Sequence, residues 1–171
     1  MIDCYACIKI KYPNINDNQF LLEDDGNEIK ISYWDQSLGE QPSLPELNGY
    51  MFQVLKDNKK ESIKQLVHDE IDNSSIGYMT QGLVNNFRVD AGRGDLDNLR
   101  NLKQYCSAIN IDTTYIKDFY NNMHQVSMQE LDTIILELIA YGLWLYQRKW
   151  EVDTLIDNAL TEEEINSISF F

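Results

Sequence analysis

The chain has 171 residues, with 14 Lys+Arg against 28 Asp+Glu, a net charge of −14 and a pI near 4.4. That is enough chain for one domain or two very small ones, and 43% hydrophobic with 11% aromatic residues excludes global disorder. The acidic balance is shared evenly between residues 1–75 and 76–171; it excludes a surface built to hold nucleic-acid phosphates or anionic lipid and leaves proteins or carbohydrate as partners.

The first residues, MIDCYACIKIKYP, show no basic segment followed by an apolar run, so no export leader is expected. The alternation of Ile8 and Ile10 with Lys9 and Lys11 predicts a strand over 4–11, ended by Pro13 and Asn14. Phe20–Leu22 and Glu28–Trp34 flank Asp24-Asp25-Gly26-Asn27, a hairpin signal because Asp-Gly and Gly-Asn tolerate positive φ. So small a sheet must pack on a helix.

Ser43-Leu44-Pro45-Glu46 carries a capping serine, a proline in the first turn and a glutamate three residues on. It opens a helix expected from Leu44 to Asp72. Apolar residues recur along Leu47–Leu55 and again at Ile63, Leu66, Val67 and Ile71. Between them Asp57-Asn58-Lys59-Lys60-Glu61 is polar all round, which predicts a stretch crossing solvent or packed on a partner. The second stripe is either covered by the C-terminal lobe or left as a docking or self-association face.

A second hairpin is expected across Ile76–Met79 and Val84–Val89, turned at Gln81-Gly82, followed by a flexible loop at Ala91-Gly92-Arg93-Gly94. Asp95 is expected to cap a helix to about Ser107, with Leu96, Leu99, Leu102 and Cys106 on one face. A strand is expected at Thr114–Lys117, with His124 in a loop. Ser127-Met128-Gln129-Glu130 is a capping box before a helix of about 30 residues, whose face runs through Leu131, Ile134, Ile135, Leu138, Gly142, Leu145, Val152, Leu155, Ile156 and Ala159. Its apolar stretch from Thr133 to Tyr146 includes Glu137 and is too short to span a bilayer. Thr161-Glu162-Glu163-Glu164 repeats the capping box. The expected fold is α+β: a small β lobe over 1–42, a connecting helix over 43–75 and an α+β lobe over 76–171.

Chemistry-bearing residues are sparse. Three cysteines, Cys4, Cys7 and Cys106, fit a reducing compartment; Cys4-x-x-Cys7 lacks two further zinc ligands at usable spacing, so buried thiols are expected. Asp90, Asp95, Asp118 and His124 form the one set suited to a divalent metal or general acid–base work, although capping and pairing explain them more simply. Gly92-Arg93-Gly94 lacks the lysine of a phosphate cradle. No cofactor, no metal and no catalytic residue is expected. Tyr141, Trp144, Tyr146 and Trp150 crowd the long helix, with Trp144 off the core line as a candidate protein-binding side chain and Trp150 expected to be buried against the second hairpin.

The words GYMTQG, VDAGRGD, IKDFYNNMH and RKWEVDTLIDNALTEEEI occur in this order. In them the second half resembles a domain of unknown function widespread in tail-fibre and tail-assembly genes of tailed bacteriophages. Tyr78 stands where that pattern has phenylalanine and Val152 where it has leucine. KYPNINDNQFLLEDDGNEIKISYWDQ and QPSLPEL resemble the start of small tail-region proteins of PBSX-type Bacillus prophages. The resemblance implies a non-enzymatic tail-associated protein, a fibre-assembly chaperone or an adaptor on fibre or baseplate. It would act in the host cytoplasm during assembly or be retained in the virion tail. Its implied partner is a fibre or baseplate protein, with a second copy of the chain also open; the α-helical stripe Ile63, Leu66, Val67 and Ile71 and the off-line Trp144 are the contact residues that spacing offers, and the charge balance leaves out nucleic acid and membrane. The alternatives are a structural virion component on the receptor side and a metal-dependent envelope-glycan hydrolase.

Overall fold

The computed structural model describes residues 3–26, 29–73, 78–79, 88–90 and 92–171. Long helices and short antiparallel two-stranded ladders make it an α+β fold. The chain divides into two units, Met1–Glu61 with Leu155–Ile168, and Ser62–Thr154 with Ser169–Phe171. Two of the three points of division, Glu61/Ser62 and Thr154/Leu155, fall inside helices.

The first unit opens with a helix where a strand is predicted. Helix α1 covers Cys4–Lys11, and the Asp3 carboxylate accepts from the Ala6 amide at 3.0 Å as its N-cap. Cys4, Cys7 and Ile8, at helical spacing, are its buried face, while Lys9 and Lys11 sit in the last turn, where cations complement the helix dipole. Strands β1 (Phe20–Asp24) and β2 (Ile29–Trp34) form the expected hairpin, with Phe20 opposite Trp34 and a bulge between Leu21 and Leu22. Gly26 has φ +86°, and its amide donates to Asp24 Oδ1 at 2.8 Å. Asn27 of that turn lies outside the described residues.

The expected single helix from Leu44 is two. Helix α2 (Leu44–Asn48) is capped by Ser43, whose Oγ accepts from the Glu46 amide, and α3 runs over Met51–Asn73. At the break, the Gly49 amide reaches back to Glu46 O and the Tyr50 amide to Leu47 O, bonds three residues long that tighten the turn and end the α-helix. Leu47 and Val54 close a core with Cys4, Cys7, Ile8, Ile15 and Phe20, so the small sheet is covered as expected. The polar stretch of α3 does not simply cross solvent. Lys56 is buried and donates to Asp157 O at 2.7 Å, and Lys60 Nζ lies 2.6 Å from Asp157 Oδ1. Both cations meet the last turn of α5 (Met128–Asn158), where helix carbonyls lack internal partners. Thr161 then caps α6 (Glu162–Ser167) in a capping box with Glu164.

In the second unit, β3 (Tyr78–Met79) pairs antiparallel with β4 (Arg88–Val89), as the second hairpin requires. Its turn at Gln81-Gly82 lies outside the described residues. Helix α4 covers Arg93–Ala108. Its N-cap is Gly92, not Asp95, so Arg93-Gly94 belong to a first turn rather than a loop. Leu96, Leu99 and Leu102 pack inward as read from their spacing. The strand expected at Thr114–Lys117 is β5 (Thr113–Lys117), and it pairs with β6 (Met123–Ser127), which places His124 in a strand instead of a loop. Ser127 and Glu130 form the predicted capping box: the Ser127 amide donates to Glu130 Oε2 at 2.7 Å and the Glu130 amide to Ser127 Oγ at 3.2 Å. Leu131, Ile134, Ile135 and Leu138 of α5 join Val89, Ile116 and Val126 in the core. Leu155, placed on the buried face by its spacing, is half exposed at 50%. Among the described residues no helix is long and apolar enough to cross a membrane.

Candidate functional site

The β5–β6 turn is built around one densely hydrogen-bonded carboxylate, Asp118. Asn121 takes φ 64°, a left-handed conformation that asparagine tolerates. Asp118 is 5% exposed. Its Oδ1 accepts from the amides of Tyr120 (2.9 Å) and Asn122 (2.8 Å), and its Oδ2 from Asn122 Nδ2 (3.0 Å) and faces His124 Nε2 (2.9 Å). Burial alone would push the carboxyl up, but the bonds to His124, Asn122 and Tyr120 outweigh it and hold its pKa down to about 2. A carboxylate has about four acceptor positions, and all are occupied here. The IKDFYNNMH word therefore encodes a turn: the acid closes it, the asparagines shape it and the histidine braces it.

Asp90 and Asp95 form a separate pair. They line a cavity of about 300 Å³ with Asn98, Leu102, Tyr115 and Lys117. Burial and the neighbouring Asp90 charge raise the Asp95 carboxyl, partly offset by hydrogen bonds from the Gly92 and Asp95 amides. The four-residue set read from the sequence thus divides into a cavity pair and a turn pair. Among the described residues no group of three or more His, Cys, Asp or Glu is placed to hold a metal ion.

Cys4 and Cys7 share the buried face of α1, and the Cys7 thiol contacts Met51 Sδ at 3.5 Å. Burial raises both thiols, with the Cys4 and Asp3 charges adding to the effect at Cys7 and Asp3 alone at Cys4. Cys106 is buried and free on α4. All three behave as small core residues.

The apolar stripe on α3 is not an open docking face. Ile63 and Val67 are buried, and Leu66 and Ile71 are half-buried. Ile71 lines a cavity of about 360 Å³ with Leu138, Tyr141 and Gly142, and the buried Glu70 accepts from Tyr141 OH at 2.7 Å. The C-terminal end of α3 thus meets α5 at Glu70 and Ile71. Trp144 remains 44% exposed. It stacks on Tyr141 with centroids 5.8 Å apart and meets Phe170 edge-on at 6.3 Å, with Phe171 at 6.5 Å. Arg148 fastens this cluster by donating to Phe170 O at 3.0 Å and Ser169 O at 3.3 Å.

Trp150 is the clearest departure. Expected to be buried, it is 63% exposed, and its basic neighbours turn elsewhere: Arg148 to the 169–170 carbonyls and Lys149 to Asp153. Leu136 and Leu143 are also more than half exposed, at 64% and 59%. Their seven-residue spacing with Trp150 was visible in the sequence but is easily merged with the buried line two positions away.

Compared with protein families, curated proteins and solved structures, the chain matches none.

Proposed function

We propose that this chain is a non-enzymatic tail-associated protein of a bacteriophage or phage-like element, acting as a fibre-assembly chaperone or as a small adaptor bound to fibre or baseplate. The tail context rests on the ordered sequence words above. The observation that supports the non-enzymatic reading is the bonding of Asp118: Tyr120, Asn122 and His124 of the same hairpin take up its carboxylate, as expected of a residue that holds a turn together. Trp144, half exposed beside Phe171, supplies the type of aromatic surface that protein contacts use. Acidic charge in both halves of the chain suits a partner met through such contacts rather than through phosphate.

The test is co-purification with the fibre and baseplate proteins of the same element, together with mass spectrometry of purified particles. Recovery with the fibre protein and absence from particles is the chaperone outcome; recovery in particles is the adaptor outcome. A chain that binds none of these proteins, or one that purifies with stoichiometric metal and loses glycan cleavage in Asp118→Ala and His124→Ala, overturns the proposal.

A further inference from the structure

Helix α5 carries two apolar lines. The inner one, Leu131, Ile134, Leu138, Leu145 and Val152, is buried. The outer one runs Leu136, Ala140, Leu143, Gln147 and Trp150, steps of four, three, four and three residues, all exposed. This is the spacing of a helix-packing seam, and it extends for about 21 Å at 1.5 Å per residue. Trp144 and Tyr146 border it at 44% and 41% exposure.

The charge pattern of this face is more specific than its hydrophobicity. From Leu136 to Trp150, every exposed residue of α5 is uncharged, in a chain that is 25% charged and carries a net charge of −14. Two such chains repel each other over most of their surfaces, but not along this line. The nearest carboxylates are Glu137, half-buried, and Glu151, which Arg148 pairs at 3.1 Å, so the exposed line itself gives a basic partner no acidic residue to select it by. The face also carries Trp150, with Trp144 and Tyr146 at its border, and Trp and Tyr are the side chains in which the energetic centres of interfaces are enriched.

We propose that this face is a self-association surface at which two copies of the chain pack α5 against α5, antiparallel, about a two-fold axis through Leu143. Leu136 and Trp150 each lie two helical turns from Leu143. In this arrangement the Trp150 of one copy covers the smaller Leu136 of the other, and Gln147 lies opposite Ala140. Large therefore meets small in the layers on either side of a central Leu143–Leu143 contact, and the same patch serves both copies, as an isologous contact demands. A parallel pair would set Trp150 on Trp150 and Leu136 on Leu136, leaving layers of unequal width. The antiparallel pair also opposes the two helix dipoles.

The experiment uses the full chain. Sedimentation equilibrium over low to high micromolar concentrations is expected to give twice the chain mass for the wild type and loss of the dimer for Leu143→Glu, with an unchanged circular dichroism spectrum because the position is exposed. Mild oxidation of cysteine variants then reads the axis. Leu143→Cys is expected to form a disulfide-linked dimer. Leu136→Cys and Trp150→Cys are expected not to crosslink alone but to crosslink when mixed. The three native thiols are buried, so background is low. A wild type that stays monomeric throughout, or a dimer that survives Leu143→Glu, overturns the proposal. Crosslinking of Leu136→Cys with itself and of Trp150→Cys with itself overturns the antiparallel axis.

Discussion

His124 Nε2 lies 2.9 Å from Asp118 Oδ2, and the two residues stand at opposite ends of one tight turn. Ile116 and His124 are register partners in the β5–β6 ladder, so the histidine reaches across from its strand to the acid that follows the other strand. Its position is fixed by strand pairing, and the acid is fixed by the amides of Tyr120 and Asn122. That mutual constraint makes the turn a structural unit with a measurable acid dependence.

The Asp118 carboxyl sits at about 2 in the fold against an ordinary 3.8. A depressed carboxyl binds fewer protons in the folded chain than in the unfolded one, so its contribution is present above 3.8 and is lost as pH falls towards about 2. Asp118→Asn is expected to be less stable than wild type at neutral pH, with the gap narrowing across this interval. Urea midpoints measured at several pH values check it; a gap that stays constant down to pH 2 would show that the charge is not what stabilises the turn.

Burial along α5 predicts opposite outcomes for two leucines two residues apart. Leu145 is fully buried and Leu143 is 59% exposed. Leu145→Ala is expected to destabilise by about 2–5 kcal/mol, and Leu143→Ala, measured at high dilution, by about 0.5 kcal/mol or less. Trp150→Ala should likewise fall in the small class at that dilution. Equal losses for the two leucines in denaturant titrations would contradict the rotation of the helix described here.

Much of the fold is legible in particular residues. The capping boxes at Ser127–Glu130 and Thr161–Glu164 place both helix starts because side-chain capping is local chemistry, complete within four residues. Other elements depend on contacts that a local pattern does not contain. Over 4–11, alternating Lys and Ile suit a strand, while Cys4, Cys7 and Ile8 suit a helix; the Asp3 cap and the core formed with Leu47 and Val54 favour the helix. Strand β6 escapes notice because only Val126 of its five residues is fully buried, which leaves almost no alternation to read. The helix break is marked by Gly49, a poor helix former, yet the apolar spacing continues across it and hides it. The candidate site was half legible. Asp118 and His124 are conspicuous by type, but their saturation by a turn emerges only once Asn121 is seen in its left-handed conformation. The outer line of α5 was masked by the inner one, since an apolar count does not distinguish one face from two.

The division of the chain yields a fragment prediction. Residues 62–154 belong to one unit, so a fragment beginning at Ser62 retains Ile63, Val67 and the Glu70–Tyr141 hydrogen bond. It is expected to unfold cooperatively. A fragment beginning at Asn73 loses two buried aliphatic side chains and leaves the Tyr141 hydroxyl without Glu70, and is expected to unfold at a clearly lower urea concentration. Indistinguishable midpoints for the two fragments would restore a boundary at the end of α3.

The thiols offer a last and inexpensive check on the Cys4-x-x-Cys7 pair. A redox pair needs a thiolate, and a thiolate is favoured by exposure, a cation or a helix N-terminus. Cys4 and Cys7 do lie in the first two turns of α1, but burial raises both, and the Asp3 carboxylate at the cap adds negative charge where a thiolate would need the opposite. Cys106 is equally buried on α4. A disulfide reagent added to the native chain at neutral pH is therefore expected to label all three slowly, at rates that rise together when urea unfolds the chain. Rapid labelling of Cys4 or Cys7 in the folded protein, or a reversible Cys4–Cys7 disulfide formed without unfolding, would show that α1 opens and that its cysteines are reactive.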